Sequence, residues 1–156
     1  MDNKVFITGG SGFVGQNMIP ELIKAGYQVF ALARSSTSAE KVSKIGAIPV
    51  MDDLTMLSHN TAAILKNCDV VVHSAAYMDF NYEREKFYSI NVDATKDLLH
   101  KAKENGVGHF IYISAAPVIP GSPIINAREE DAGEELPKDL YPRTKAIAEK
   151  AVLAAN

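Results

Sequence analysis

Short runs of apolar residues alternate along the chain with longer stretches in which apolar positions recur every three or four residues. Five runs stand out, at residues 4–8, 28–33, 48–51, 70–73 and 109–114, each nearly continuous in Val, Ile, Phe or Ala. Strands covered on both faces read this way, because neither face can be polar. The stretches at 13–25, 38–44, 57–66, 83–105 and 140–155 predict helices. In the first, Val14, Met18, Leu22 and Ala25 recur at helical spacing, and Gly26 then supplies a stop. The fourth closes in the same way at Asn105-Gly106. Strand and helix in regular alternation predict repeated βαβ units, hence an α/β fold on a parallel sheet.

One long stretch, 115–139, breaks the pattern, with Pro117, Pro120, Gly121, Pro123 and Pro137 excluding regular structure. Loops of this length are usually functional or mobile. Its acidic residues, Glu129, Glu130, Asp131, Glu134 and Glu135, read most simply as a solvated face. The 156 residues, 47% of them apolar, suffice for one domain with a true core. A net charge of −3 without any basic cluster argues against nucleic acid and anionic membrane as partners and for a small-molecule substrate. Cys68, the single cysteine, excludes an internal disulfide, and no Cys/His group has zinc-ligand spacing, so no metal is expected. The first strand runs straight into glycines instead of a long apolar segment, so neither a signal peptide nor a membrane span is expected and the location reads as cytoplasmic.

The glycines after that strand carry the first chemistry. Gly9 and Gly12 lie between Val5-Phe6-Ile7-Thr8 and an amphipathic helix that opens with Phe13 and Val14, and Gly15 falls in the first turn of that helix. A turn of this kind offers backbone N–H donors and close backbone approach, which a dinucleotide pyrophosphate requires. The expected architecture is therefore a Rossmann-type doubly wound sheet of five strands in the order 3-2-1-4-5. At the end of the second strand, where such folds often place a carboxylate on the adenosine ribose, the sequence has Arg34. A guanidinium pairs with phosphate through a planar fork of donors, so NADP is favoured while NAD stays possible. After the third strand, Asp53 and Leu54 could meet the adenine, with helix capping by the aspartate as the competing role. After the fourth, Ser74, Ala75 and Ala76 are small where the backbone must pass close to the cofactor, and His73 reads as a hydrogen-bonded core histidine.

Tyr141 and Lys145 are four residues apart, so on one helix they share a face. A free tyrosine ionises near a pKa of about 10, and acid/base work near neutrality needs an adjacent positive charge, which the lysine could provide. Pro142 fits the first turn of that helix.

Val5 to Gly15, Asp53-Leu54, Val71 to Ala76, Asn91-Val92, Phe110 to Ser114 and Tyr141 to Lys145 together resemble the extended short-chain dehydrogenase/reductases, the NAD-dependent epimerase/dehydratase family. The residues from Thr144 onward look most like the 3β-hydroxysteroid dehydrogenase and dihydroflavonol reductase branch. The resemblance implies hydride transfer to or from a secondary alcohol or ketone on a bulky apolar substrate. It implies Tyr141 as the proton donor or acceptor, Lys145 on the nicotinamide ribose and Asn91 as a support near the cofactor. The family's third catalytic member, a Ser or Thr, aligns with Ala115, and Ser114, one residue early, is the candidate replacement only if the backbone has left the strand there. Further strands and a substrate-binding region follow in the family, whereas this sequence stops at Asn156, so a C-terminally truncated dinucleotide-binding domain is expected. The fifth strand would then present an apolar edge, covered by the 115–139 loop, by more chain or by a second copy in a homo-oligomer. The alternative function is a non-catalytic NAD(P)-binding sensor or regulatory module.

Overall fold

The structure, a computed structural model, describes residues 3–79, 83–119, 126–132 and 136–155. The chain runs through β1 (Lys4–Thr8), α1 (Phe13–Lys24), β2 (Gln28–Ala33), α2 (Ser36–Lys44), β3 (Ile48–Met51), α3 (His59–Leu65), β4 (Val70–His73), α4 (Arg84–Tyr88), α5 (Ala94–Glu104), β5 (His109–Tyr112) and α6 (Leu140–Leu153). All strand pairs are parallel and the sheet order is β3-β2-β1-β4-β5, the expected α/β Rossmann-type arrangement. The alternation of side chains along each strand sorts the core into two layers. Val5, Ile7, Val29, Ala31 and Val72 meet Ile19 of α1 and Val42 of α2 on one face. Phe6, Val50 and Val71 meet Leu65 of α3 and Leu98 and Ala102 of α5 on the other.

Four local departures from the sequence reading have physical causes. In α1 the buried positions are Gly15 and Ile19, while Val14 is exposed, because the helix lays its glycine against the turn. Helix α2 starts two residues earlier than expected, since Ser35 and Ser38 cap each other reciprocally: the Ser38 N–H donates to Ser35 Oγ at 3.2 Å and the Ser35 N–H to Ser38 Oγ at 3.0 Å. The predicted helix 83–105 is broken by a single π-helical turn, Ser89–Asp93, between α4 and α5. Such insertions rotate the helical face, and here Asn91 and Val92 are buried. Finally, β5 ends at Tyr112, where its pairing with His73 ends, and the chain turns off into a short 3₁₀ turn at Ala116–Val118 that contains Pro117.

The two edge strands are not covered on both faces. Ile48 and Met51 on β3 are exposed, as is Ile111 on β5. Strand β5 is the last in the sheet, and a groove of about 670 Å³ follows it, between Leu99, Ala102 and Val107 on one side and Val152 and Leu153 on the other. Glu129–Asp131 form an exposed 3₁₀ turn, as a solvated face should, and Glu134 and Glu135 lie outside the described residues, as do Pro120, Gly121, Pro123 and Asn156.

Candidate functional site

The chain leaves β1 through Gly9, whose φ of +70° suits a residue without Cβ. A Cβ there would stand 2.7 Å from the Ala75 nitrogen and 2.8 Å from the Ser74 carbonyl carbon, so the turn and the segment after β4 touch backbone to backbone. A Cβ on Gly15 would come within 2.5 Å of both the Gly9 oxygen and the Gly10 Cα, which sets how closely α1 approaches the turn. Gly12 differs. A Cβ there would meet only the Gly9 oxygen, at 3.3 Å, so its outer side is open. Gly12 is the N-cap of α1 and brings no side chain to accept from the first-turn N–H groups. Those donors, at the positive end of the helix dipole, therefore face a cleft and not a protein acceptor.

That cleft, about 420 Å³, brings together most of the residues expected at a dinucleotide site: Gly9, Gly12, Phe13, Val14, Arg34, Asp53, Leu54, Ser74, Ala75 and Ala76 all line it. Asp52 lines it too, beside Asp53, as do Ser38 and Tyr77, which were not anticipated. The capping role considered for Asp53 is realised: Oδ1 accepts from the Thr55 N–H at 2.8 Å and from its hydroxyl at 2.6 Å. These bonds, with the charge of Arg34, hold its carboxyl below the usual range despite some desolvation. Asp52 is a second anchor: burial raises its pKa, but bonds from the Thr61 hydroxyl and from Ser58 outweigh that and leave it lowered.

Asn91 does not line the cleft. It is buried beneath it, with Oδ1 accepting the Tyr77 N–H at 2.6 Å and Nδ2 donating to the Tyr77 carbonyl at 2.9 Å and to Thr144 Oγ1 at 3.1 Å. It thus holds the segment after β4 against α6, a structural clamp and not the place beside the cofactor that was expected of it. His73 is a fully buried core histidine, with Nδ1 2.6 Å from Thr8 Oγ1 and Nε2 2.8 Å from Thr95 Oγ1.

Tyr141 and Lys145 sit in the first two turns of α6. Only 2% of Lys145 is exposed; its ammonium donates to the Ile113 carbonyl at 2.6 Å and lies 4.1 Å from the centre of the Tyr112 ring. Burial lowers its pKa to about 8, with the Glu149 carboxylate pulling the other way. Burial alone raises the Tyr141 phenol. Ser114 lies beyond the end of β5, but the backbone around it stays extended, with the Ile113 N–H donating to the His73 carbonyl at 3.0 Å, and its hydroxyl donates to Glu149. Neither it nor the Tyr141/Lys145 pair lines the glycine-turn cleft; Asn91 and Thr144 join the two regions.

Sequence reasoning passed over Tyr112, Glu149, Thr8, Thr95 and Thr144. Two of these had a readable signal. Glu149 is four residues after Lys145, hence on the same helical face, and Tyr112 is the aromatic that strand alternation puts on the side of Phe110. The threonines had none, since a buried hydroxyl in an apolar run looks like any β-branched core residue. No group of acidic, His or Cys residues among those described could hold a metal, and no described helix is long and apolar enough to cross a membrane.

The expected family follows from comparison with known proteins. The chain is 42% identical over 158 residues to a decarboxylating sterol-4-alpha-carboxylate 3-dehydrogenase of Dictyostelium discoideum, covering 97% of this chain and 48% of that protein. It is 32% identical to a 3-beta-hydroxysteroid dehydrogenase of Mycolicibacterium neoaurum, covering 98% of this chain and 43% of the relative. The fold superimposes on a UDP-glucose-4-epimerase from Stenotrophomonas maltophila, solved with bound NAD, with a TM-score of 0.82 at 23% identity over 99% of this chain and 48% of the other. The chain thus spans about half the length of the relatives it matches. Residues 6–156 match the 3-beta hydroxysteroid dehydrogenase/isomerase family, and the chain belongs to that family.

Proposed function

We propose that this chain is the NADP-binding half of an oxidoreductase that interconverts a secondary alcohol and a ketone on a bulky apolar substrate, with Tyr141 as the acid/base. The observation that carries the reading is the cleft at Gly12. An open glycine and an uncapped helix N-terminus share that cleft with Arg34, Asp53 and three small residues after β4. A pyrophosphate fits the free N–H groups of the turn, an adenine fits between Leu54 and the unused oxygen of Asp53, and a 2′-phosphate fits the Arg34 guanidinium. Bound there, the nicotinamide would supply or take up the hydride.

The chain's own part is binding and proton handling. Tyr141 exchanges a proton with the substrate oxygen, and because burial raises its phenol, it needs a positive charge close by to work near neutrality. Lys145, one turn further along α6, supplies it. The Ile113 carbonyl and the face of Tyr112 fix the ammonium in place. The sterol and steroid dehydrogenases among the relatives support an apolar substrate. In the full-length protein, Tyr141→Phe is expected to lower turnover by at least about a thousandfold while NADPH affinity stays within about twofold. Undiminished turnover would refute the role given to Tyr141.

One observation favours a second reading, a dinucleotide-binding sensor without turnover: Ala115 stands at the family's Ser/Thr position, and the Ser114 hydroxyl is held by Glu149. That reading requires NADPH binding with no oxidoreductase activity toward any secondary alcohol or ketone.

A further inference from the structure

Five buried residues are linked in series between the glycine turn and the start of α6, Thr8, His73, Thr95, Asn91 and Thr144, through their side chains and, between Thr95 and Asn91, through the Asn91 main-chain carbonyl. Counting protons gives the direction of each bond. The Thr95 hydroxyl has one proton, and its oxygen lies 2.8 Å from the Asn91 carbonyl oxygen; two bare acceptors repel at that distance, so the proton goes to the carbonyl. His73 Nε2, 2.8 Å from the same hydroxyl oxygen, must then bring a proton of its own. At the other ring nitrogen, Thr8 Oγ1 already accepts the Ala75 N–H at 3.2 Å. A proton on Nδ1 as well would leave the buried Thr8 hydroxyl hydrogen without an acceptor among the described residues, an arrangement that burial penalises. Nδ1 is therefore bare and accepts from Thr8.

We propose that these residues form one directed hydrogen-bond chain that locks the cofactor-side backbone to the helix carrying Tyr141 and Lys145, with His73, neutral and protonated on Nε2, as the positioning residue at its centre. At one end, Thr8 holds the Ala75 amide where the Ala75 backbone packs against the missing Cβ of Gly9. At the other, Asn91 clamps both main-chain groups of Tyr77 and gives its second Nδ2 proton to Thr144. The Thr144 hydroxyl in turn donates to the Leu140 carbonyl at 2.8 Å or the Tyr141 carbonyl at 3.0 Å, in the first turn of α6. Every side-chain proton in the chain has an acceptor; the direction of the Thr8–His73–Thr95 half is set by the Asn91 main-chain carbonyl, and that of the Asn91–Thr144 half by the Tyr77 main-chain groups. The environment agrees: burial pushes the His73 imidazolium down to about 3, and the charge of Lys145 pushes the same way. The functional meaning of the chain rests on the dinucleotide and Tyr141/Lys145 reading above; the tautomer and the coupling do not.

Two measurements on the full-length protein test it. In the ¹⁵N spectrum of the His73 ring, the expected pattern is a protonated Nε2 and a bare Nδ1, unchanged from about pH 5 to about pH 8, where an ordinary histidine titrates. A proton on Nδ1, or titration in that range, overturns the assignment. Thr95→Val removes the acceptor of Nε2–H with little change of shape, and Thr95→Ser keeps it. Faster hydrogen exchange is expected at both the Ala75 and Tyr77 amides in Thr95→Val, with NADPH bound about tenfold more weakly, and recovery of both in Thr95→Ser. Exchange altered only at residues 91–95, or no recovery with serine, overturns the coupling. Should Thr95→Val not fold, the wild-type ring spectrum still decides. A wild-type protein that binds no NADPH overturns the dinucleotide reading, and the ring spectrum and exchange pattern then judge the chain by themselves.

Discussion

Replacing Gly9 and Gly12 separately by alanine distinguishes a glycine needed for folding from one needed for ligand approach. At Gly9 the backbone has φ +70°, a conformation that costs an L-residue about 1–2 kcal/mol. The new Cβ would also lie 2.7–2.9 Å from three backbone atoms of Ser74 and Ala75, none of which can move as a flexible side chain would. Relief requires shifting that segment away from Thr8, with loss of the hydrogen bond from the Ala75 N–H, about 0.5–1.5 kcal/mol more. Gly9→Ala is therefore expected to destabilise by about 2–3 kcal/mol, a fall in Tm of about 5–10 °C for a domain of this size. Gly12 has φ −83° and ψ 177°, extended backbone open to any residue, and its Cβ meets one oxygen at 3.3 Å. Gly12→Ala should leave Tm within about 2 °C but place a methyl group where backbone and pyrophosphate meet, weakening NADPH binding by at least about tenfold, or about 1.4 kcal/mol. Differential scanning calorimetry and fluorescence titration read the two effects. A Gly12→Ala protein that binds NADPH as the wild type does would refute the assignment of the cleft, and a Gly9→Ala protein of unchanged Tm would refute the packing argument.

Two other perturbations follow from buried or anchored charges. Asp52 anchors the start of α3 by accepting from the Ser58 N–H and from the Ser58 and Thr61 hydroxyls, and Asp52→Asn should cost about 1–2 kcal/mol at neutral pH. Because its folded pKa is depressed, the stabilisation is present above the unfolded value near 3.8 and lost as pH falls through the folded one, so urea midpoints of wild type and Asp52→Asn should converge in acid. A constant gap down to strongly acid pH would contradict this. Lys145 gives a slope of the same sign in a different window, because folding disfavours its charged form: with a folded pKa of about 8 against 10.5 unfolded, the unfolded chain binds more protons between those values, and stability rises with pH there. The rise in urea midpoint from about pH 8 to about pH 10 should be larger in wild type than in Lys145→Met, and equal slopes would show that the ammonium is not desolvated as described.

The parts of the fold that rest on repeating pattern were legible. The four-residue β4, Val70–His73, is continuous enough in Val to be bounded without error, and the strand order follows once Gly9 to Gly15 mark the first βα turn. What escaped depends on contacts between distant residues. The π turn at Ser89–Asp93 leaves the apolar period of 83–105 almost unchanged, so only packing against Tyr77 and Thr144 reveals it. The end of β5 is set by where β4 stops pairing with it, and Ile113 and Ser114 carry no mark of that. That Gly9, Gly12, Arg34 and Asp53 line one cleft was readable from their places directly after β1, β2 and β3, on one end of the sheet. The polar chain through Thr8, His73 and Thr95 was not, since each link is defined by a partner 22 to 65 residues away.

Direct titration tests the proposed place of NADP in the Gly12 cleft with Arg34 on its 2′-phosphate. NADPH fluorescence should saturate with the wild-type protein at a Kd at least about tenfold below that for NADH, and Arg34→Ala should remove that difference. Absence of saturation with either cofactor, or NADH bound tighter than NADPH, would contradict the account.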